Sequence, residues 1–286
     1  MPFHPAAPSD LSGLVDAYGA VVRAIIDLGR SMRPDDFDRP TDCPGWTVKN
    51  VISHVVALEA WLGGEPLPAV EVPAYEHIRN DVGRFTELGV EHRRGWTGEE
   101  VVDELEQVLA LRQSQLYAVE LTADSVIDGP FGPAPADTVL ALRMVDIWTH
   151  EQDVREAIGR PGDLDTAAAS VTMERLELGM PKVVARSAGV APGNTVIIDV
   201  TGPVVGRIGV RVEEHEGRPR GVPLFTGEAS THPAAEGSES VTQLAMSTSA
   251  FGRLAAGRRS PDEVHVTVHG DDEVAHRVLA AMSVTM

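Results

Sequence analysis

The hydrophobic period of this chain changes near residue 190, and that change restricts the fold more than any other feature. Before it, apolar residues recur at helical spacing in four long segments. The first runs from a cap at Ser9 or Asp10 to about Met32, with Leu11, Leu14, Val15, Tyr18, Val22, Ile25 and Ile26 on one stripe. The second starts at Thr47 after the turn Pro44-Gly45, with Trp46 as a hydrophobic staple, and stops at Gly63-Gly64. The third covers about Glu99 to Val119, and the fourth runs from a cap at Asp137 or Thr138 to the stop Gly159-Arg160-Pro161-Gly162. A shorter helix is expected over Tyr75–Gly89, and a bridging helix over Thr166–Ser187. Beyond Pro192-Gly193-Asn194 the pattern becomes one of strands: Thr195–Val200, Val204–Val212, Leu224–Ala229 and Glu263–Val268. Helices are expected at Ser240–Ala256 and Asp271–Met282. The predicted class is α+β: a four-helix bundle in residues 1–190 and a small α+β domain in residues 191–286.

The fourth helical segment carries the residues with chemistry. Asp146 and His150 are four apart, which stacks them on one helical face. His54 shares the apolar face of the second segment with Val51, Val55, Leu58 and Leu62. Two imidazoles and a carboxylate converging from facing helices form a ligand set for a divalent metal. The same spacing also describes a solvated ion pair, and the same histidine a hydrogen-bonded core residue, so the pattern alone leaves both readings open.

Charge narrows the partners. With 24 Lys and Arg against 43 Asp and Glu, the net charge of −19 argues against a nucleic acid or an anionic membrane surface. A single cysteine, Cys43, excludes an internal disulfide and a cysteine-rich zinc site, and reads as a packed structural thiol. The opening Met1-Pro-Phe-His-Pro5 has no basic or apolar leader pattern, and no apolar run reaches the roughly 18 residues of a membrane span, so a cytoplasmic protein is expected.

Several of these stretches together resemble a known family. Thr41-Asp-Cys-Pro-Gly-Trp-Thr-Val-Lys-Asn-Val-Ile-Ser-His54, the four helices, and Asp146-x-x-x-His150 are similar to the mycothiol-dependent maleylpyruvate isomerase family of DinB-like metalloproteins. Phe251-Gly-Arg-Leu-Ala-Ala-Gly-Arg258-Arg-Ser-Pro261 and Val264-His-Val-Thr-Val-His-Gly-Asp271 resemble the closing segment of that family's sterol-carrier-like domain. The resemblance implies that His54, Asp146 and His150 ligate a metal, with zinc expected. It implies that mycothiol is the thiol cofactor or co-substrate, and that an electrophilic small molecule is the substrate. Arg258 matches an arginine that the family places near the site, and takes the expected catalytic and cofactor-binding role. The chain departs from the isomerase in having aspartate where a glutamate is expected, at 146.

Such a centre would hold a thiol as its thiolate. Reversible addition of the thiolate to a conjugated double bond gives cis–trans isomerisation, and displacement of a leaving group gives S-transfer. The ligand set equally suits a thiol-independent hydrolase or oxygenase, or a non-catalytic protein binding a metal and an apolar ligand. His77, Arg79, Asp153, Trp46 and Trp148 are weaker candidates, with Asp153 expected either to orient an imidazole or to pair with a base such as Arg143.

Overall fold

The structure, a computed structural model, describes residues 2–118, 120–225 and 240–284. It divides into two units: Pro8–Gly162, and Met1–Ala7 together with Asp163–Met286. The sequence places the boundary near 190, but the segment following Gly162 groups with the sheet-containing unit, so the division falls a helix earlier.

In the first unit, helix α1 (Leu11–Arg30) begins where the Asp10 carboxylate accepts from the Gly13 amide at 2.6 Å. Its inner stripe, Val15, Tyr18, Val22 and Ile25, is at most 1% exposed. Burial of each such aliphatic side chain contributes about 1.5–3 kcal/mol. Helix α2 (Val48–Leu62) starts from a reciprocal cap: the Thr47 side chain accepts from the Asn50 amide, and the Asn50 side chain accepts from the Thr47 amide. Helix α3 (Asp81–His92) starts later than the sequence pattern suggests. Asn80 caps it through the Gly83 amide at 2.8 Å, so His77 lies on the preceding turn and Arg79 between that turn and the helix.

Helix α4 (Gly98–Leu116) uses a Thr97/Glu100 capping box and buries Val102, Leu105, Val108, Leu109, Arg112 and Leu116, as its periodicity requires. The loop after it pairs β1 (Val126–Ile127) with β2 (Ala134–Pro135). Helix α5 (Ala136–Ile158) follows Pro135 directly. The expected cap by Asp137 or Thr138 is not what starts it, because the Asp137 carboxylate turns to the Thr138 amide inside the first turn. Gly159 ends α5 with a φ of 66°, a left-handed cap that suits glycine. Helices α1, α2, α4 and α5 pack on one another as a four-helix bundle, with α3 against α2.

The second unit opens with α6 (Ala167–Glu177), which gives way at Leu178-Gly179 to a single turn, α7 (Met180–Lys182), and a wide turn, Val183–Ser187. The expected continuous helix is thus broken. Strands β3 (Thr195–Thr201), β4 (Val205–His215), β5 (Arg218–Leu224), β6 (Val241–Met246) and β7 (Val266–His269) form one sheet in the order β5-β4-β3-β6-β7. Neighbours are antiparallel except β3 and β6, which run parallel with Ile198 opposite Leu244. Val196, Ile198 and Val200 alternate inward, as do Ile208, Val210 and Val212.

Three expectations change here. Residues 241–246, read as part of the start of a helix, form β6, with Thr242, Leu244 and Met246 buried at a period of two. The helix is the shorter α8 (Thr248–Ala255), capped by Ser247. The third expected strand, Leu224–Ala229, is replaced by β5, and its residues 226–229 lie outside the described residues. The strand expected over Glu263–Val268 begins three residues later, because Pro261–Glu263 forms a single tight turn. Helix α9 (Asp272–Ala280) closes the unit, capped by Asp271. The N-terminal residues join this unit: Phe3 is 2% exposed and presses on Gly206, where an added Cβ would meet its ring at 2.3 Å.

Candidate metal centre

Helix α2 delivers His54 and helix α5 delivers Asp146 and His150, and one potential ligand atom from each lies within 4.8 Å of the others. His54 Nε2 is 3.3 Å from Asp146 Oδ2, and His150 Nε2 is 3.6 Å from Asp146 Oδ1. These separations are long for charge-assisted hydrogen bonds. Each is close to the roughly 3.4 Å between two ligands that share a tetrahedral ion at about 2.0–2.2 Å, with the two imidazoles facing different oxygens of Asp146. The donor set is also chemically suited to a borderline divalent cation. Both imidazoles are buried, whereas the Asp146 side chain is 30% exposed, so the carboxylate is the member that meets solvent.

The environment treats the two imidazoles differently. Burial pushes the His54 pKa down despite the attraction of Asp146, which keeps this ring neutral and its lone pair available. Burial also opposes charge on His150, but Asp146 and Asp153 outweigh it and push that pKa up. His150 Nδ1 lies 3.1 Å from Asp153 Oδ2. An ionised carboxylate only accepts, so Nδ1 carries the proton and Nε2 is left facing Asp146. This is the carboxylate–histidine arrangement that orients metal-bound imidazoles. Asp153 is thus placed against an imidazole, the first of its two expected roles. Burial disfavours the Asp146 carboxylate, but Arg143, His54 and His150 together hold its pKa well below the usual range.

Trp46 covers the imidazoles. Its ring centroid is 5.1 Å from that of His54 and 6.0 Å from that of His150, and the two imidazoles meet edge-on at 4.8 Å. Its Nε1 donates to buried Glu87 at 2.8 Å, and Glu87 also binds His77 at 2.9 Å and pairs with Arg94. His77, stacked on Tyr75, fits against Gly45, where an added Cβ would lie 2.2 Å from His77 Nδ1. The Pro44-Gly45 turn thus locks the indole in place. Cys43, half-buried in that turn, is not a member of the candidate ligand cluster.

Beneath the centre runs a second set of charges that the sequence reading did not single out. Arg143, one turn before Asp146, donates to Asp146 Oδ2 at 3.0 Å and to Glu59 Oε1 at 2.6 Å. Glu59 further accepts from Arg112 at 3.3 Å and Tyr18 at 2.7 Å. The available signal was Glu59 itself, a lone charge inside the apolar run Val55-Val-Ala-Leu-Glu-Ala-Trp-Leu62. Arg258 belongs to the other unit, just past α8, where its Nη1 donates to the Ala256 carbonyl at 3.1 Å.

Comparison with known proteins adds the following. Residues 18–155 match the family model described as the mycothiol maleylpyruvate isomerase N-terminal domain. Two uncharacterized proteins of Mycobacterium tuberculosis, from strains CDC 1551 / Oshkosh and H37Rv, are each 26% identical over 161 residues, 56% of this chain and 70% of theirs. Among solved structures, the fold is similar to that of the mycothiol-dependent maleylpyruvate isomerase (TM-score 0.53, 17% identity) and of a histidine-to-alanine mutant of it (TM-score 0.54, 15% identity). Each match covers 90% of this chain and 92% of the other. No helix among the described residues is long and apolar enough to cross a membrane.

Proposed function

We propose, from the premise that residues 18–155 belong to the mycothiol maleylpyruvate isomerase N-terminal domain family, that this chain is a metal-dependent enzyme using mycothiol as thiol cofactor or co-substrate. The reaction class is cis–trans isomerisation of the maleylpyruvate type or transfer of the mycothiol sulfur to an electrophilic small molecule. The observation that carries the reading is the convergence of His54, Asp146 and His150 inside the segment that matches the family. Nothing in the reading requires the glutamate of the isomerase. The oxygens of Asp146, at 3.3 and 3.6 Å from the two imidazole nitrogens, support a shorter side chain in the ligand role.

When bound, a divalent metal such as zinc would supply the positive charge that holds a coordinated thiol as thiolate near neutral pH. The protein's part is to prepare that position. His54 offers a neutral donor, Asp153 fixes the tautomer of His150, and Arg143 holds Asp146. Trp46 shields the imidazoles from water on one side. Three protein ligands leave at least one position open for a thiol or a substrate oxygen. Arg258 is assigned the role of gripping a carboxylate of the substrate or hydroxyls of the cofactor.

Metal analysis of the purified full chain, followed by calorimetric titration with mycothiol, tests this. One divalent metal per chain and mycothiol binding that disappears on chelation are expected. Stoichiometric iron with oxygen consumption and no thiol affinity would move the assignment to an oxygenase. A metal-loaded protein that turns over without thiol would make it a hydrolase.

A further inference from the structure

The buried ion network below the centre is larger than positioning three ligands requires. Each of the four bundle helices contributes one member: Tyr18 from α1, Glu59 from α2, Arg112 from α4 and Arg143 from α5. Glu59 is fully buried and Arg143 is 1% exposed. Taking such ions out of water costs several kcal/mol each before their mutual attraction is counted. A bundle of this kind does not need them, because apolar residues of similar volume pack as well or better.

The arrangement of charges suggests what the network does for the centre. Glu59 takes up one unit of positive charge from the pair Arg112 and Arg143, and Asp146 takes up the other. The Asp146 carboxylate is therefore already neutralised before any metal arrives. One nitrogen of the same guanidinium, Nη2, is buried without a hydrogen-bond partner among the described residues, so the cation's donors are not all used by the two carboxylates. Two neutral imidazoles and a carboxylate would give a divalent ion a site of net charge +1. Arg143 adds one positive charge to that sum, against the buried carboxylates of Glu59 beside it and Asp153 behind His150.

We propose that Arg143 is a positioning and charge-setting residue that makes the metal centre a stronger acceptor of anionic ligands, thiolates or carboxylates, at the expense of metal affinity. The proposal rests on the metal-centre reading above. Its sign is distinctive: an arginine that only holds Asp146 in place would raise metal affinity and anion affinity together, whereas one that sets charge moves them in opposite directions.

The test uses the full chain loaded with cobalt(II), whose visible absorption reports the coordination sphere, and azide as the anionic probe. In Arg143→Gln, which keeps an amide donor near Asp146 and removes the charge, azide is expected to bind on the order of ten-fold more weakly and cobalt more tightly. Arg143→Lys keeps the charge and should leave azide affinity within about three-fold of the parent. Unchanged or tighter azide binding in Arg143→Gln overturns the proposal, as does equal weakening in both variants. Should Arg143→Gln fail to fold, Glu59→Gln decides: removing the opposing charge should tighten azide binding by about three-fold, and unchanged or weaker binding overturns the idea. A parent protein that takes up no cobalt would instead defeat the metal-centre reading itself.

Discussion

The two units bury different things. In the helical unit, Glu59, Glu87, Arg112, Arg143, Glu151 and Asp153 all lie inside. In the sheet-containing unit, Arg253 is the one buried charged residue among those described, and the other buried polar groups are hydroxyls such as Ser170, Thr172, Thr242 and Thr248. Hydroxyls are satisfied locally at small cost: Thr248 donates to the Val204 carbonyl and accepts from the Val204 amide. Buried ions persist only where partners are arranged around them. The difference teaches where selection has spent stability on something other than the fold, and in this chain it is the bundle.

The comparison can be broken most severely at the ligands. His54→Ala or His150→Ala should lose stoichiometric metal after dialysis, while Asp146→Glu should retain it; undiminished metal in His54→Ala would remove α2 from the centre. Next in size is Glu59→Ala, which leaves two buried arginines short of a counter-charge and should cost about 3–5 kcal/mol in urea denaturation. A cost under about 1 kcal/mol would mean that the network is wetter than its burial indicates. Asp153→Asn should then weaken metal binding by about 10–100-fold, read by chelator competition, with little change in fold. On the other side, Ile198→Val in β3 should cost about 0.5–1.5 kcal/mol and leave metal affinity untouched.

The smallest expected effect is a pH dependence. Burial opposes ionisation of Glu59, but Arg143, Arg112 and Tyr18 outweigh it and hold its pKa below 4.5. A carboxylate with a depressed folded-state pKa adds stability that is present above its unfolded value and is lost as pH falls through the folded one. The parent should therefore lose more stability than Glu59→Gln when the pH drops below about 4.5, and parallel curves for the two would contradict the ion pairing.

Much of the bundle could be read from the sequence because its signals are local. Asp10, Thr47 and Thr97 announce helix starts within three residues, and Gly159 announces an end. The Asp146–His150 spacing on α5 is local too, and the similarity of the Thr41–His54 stretch supplied the expected role of His54 on the second helix. What stayed hidden depends on partners distant in sequence. Arg143 and Glu59 are 84 residues apart, and although Glu59 stands out as a lone charge in an apolar run, its partner is evident only once α2 and α5 face each other. The β6 strand was misread because Val241-Thr-Gln-Leu-Ala-Met246 is too short to separate a period of two from a helical start, and its parallel pairing with β3 settles the matter only in three dimensions. The start of α3 was missed because Asn80, a cap by its side chain, follows a stretch that also suits a helix.

The indole of Trp46 lies against both imidazoles of the centre and is fixed from behind by Glu87. Indole emission responds to the charge state of a ring packed against it. The light this side chain emits should therefore change as metal is added and return when a chelator removes it. Trp46 would then be an optical gauge of occupancy, built from the residue that walls the site. Replacing Trp46 by phenylalanine should silence the gauge while Trp61, Trp96 and Trp148 continue to glow unchanged.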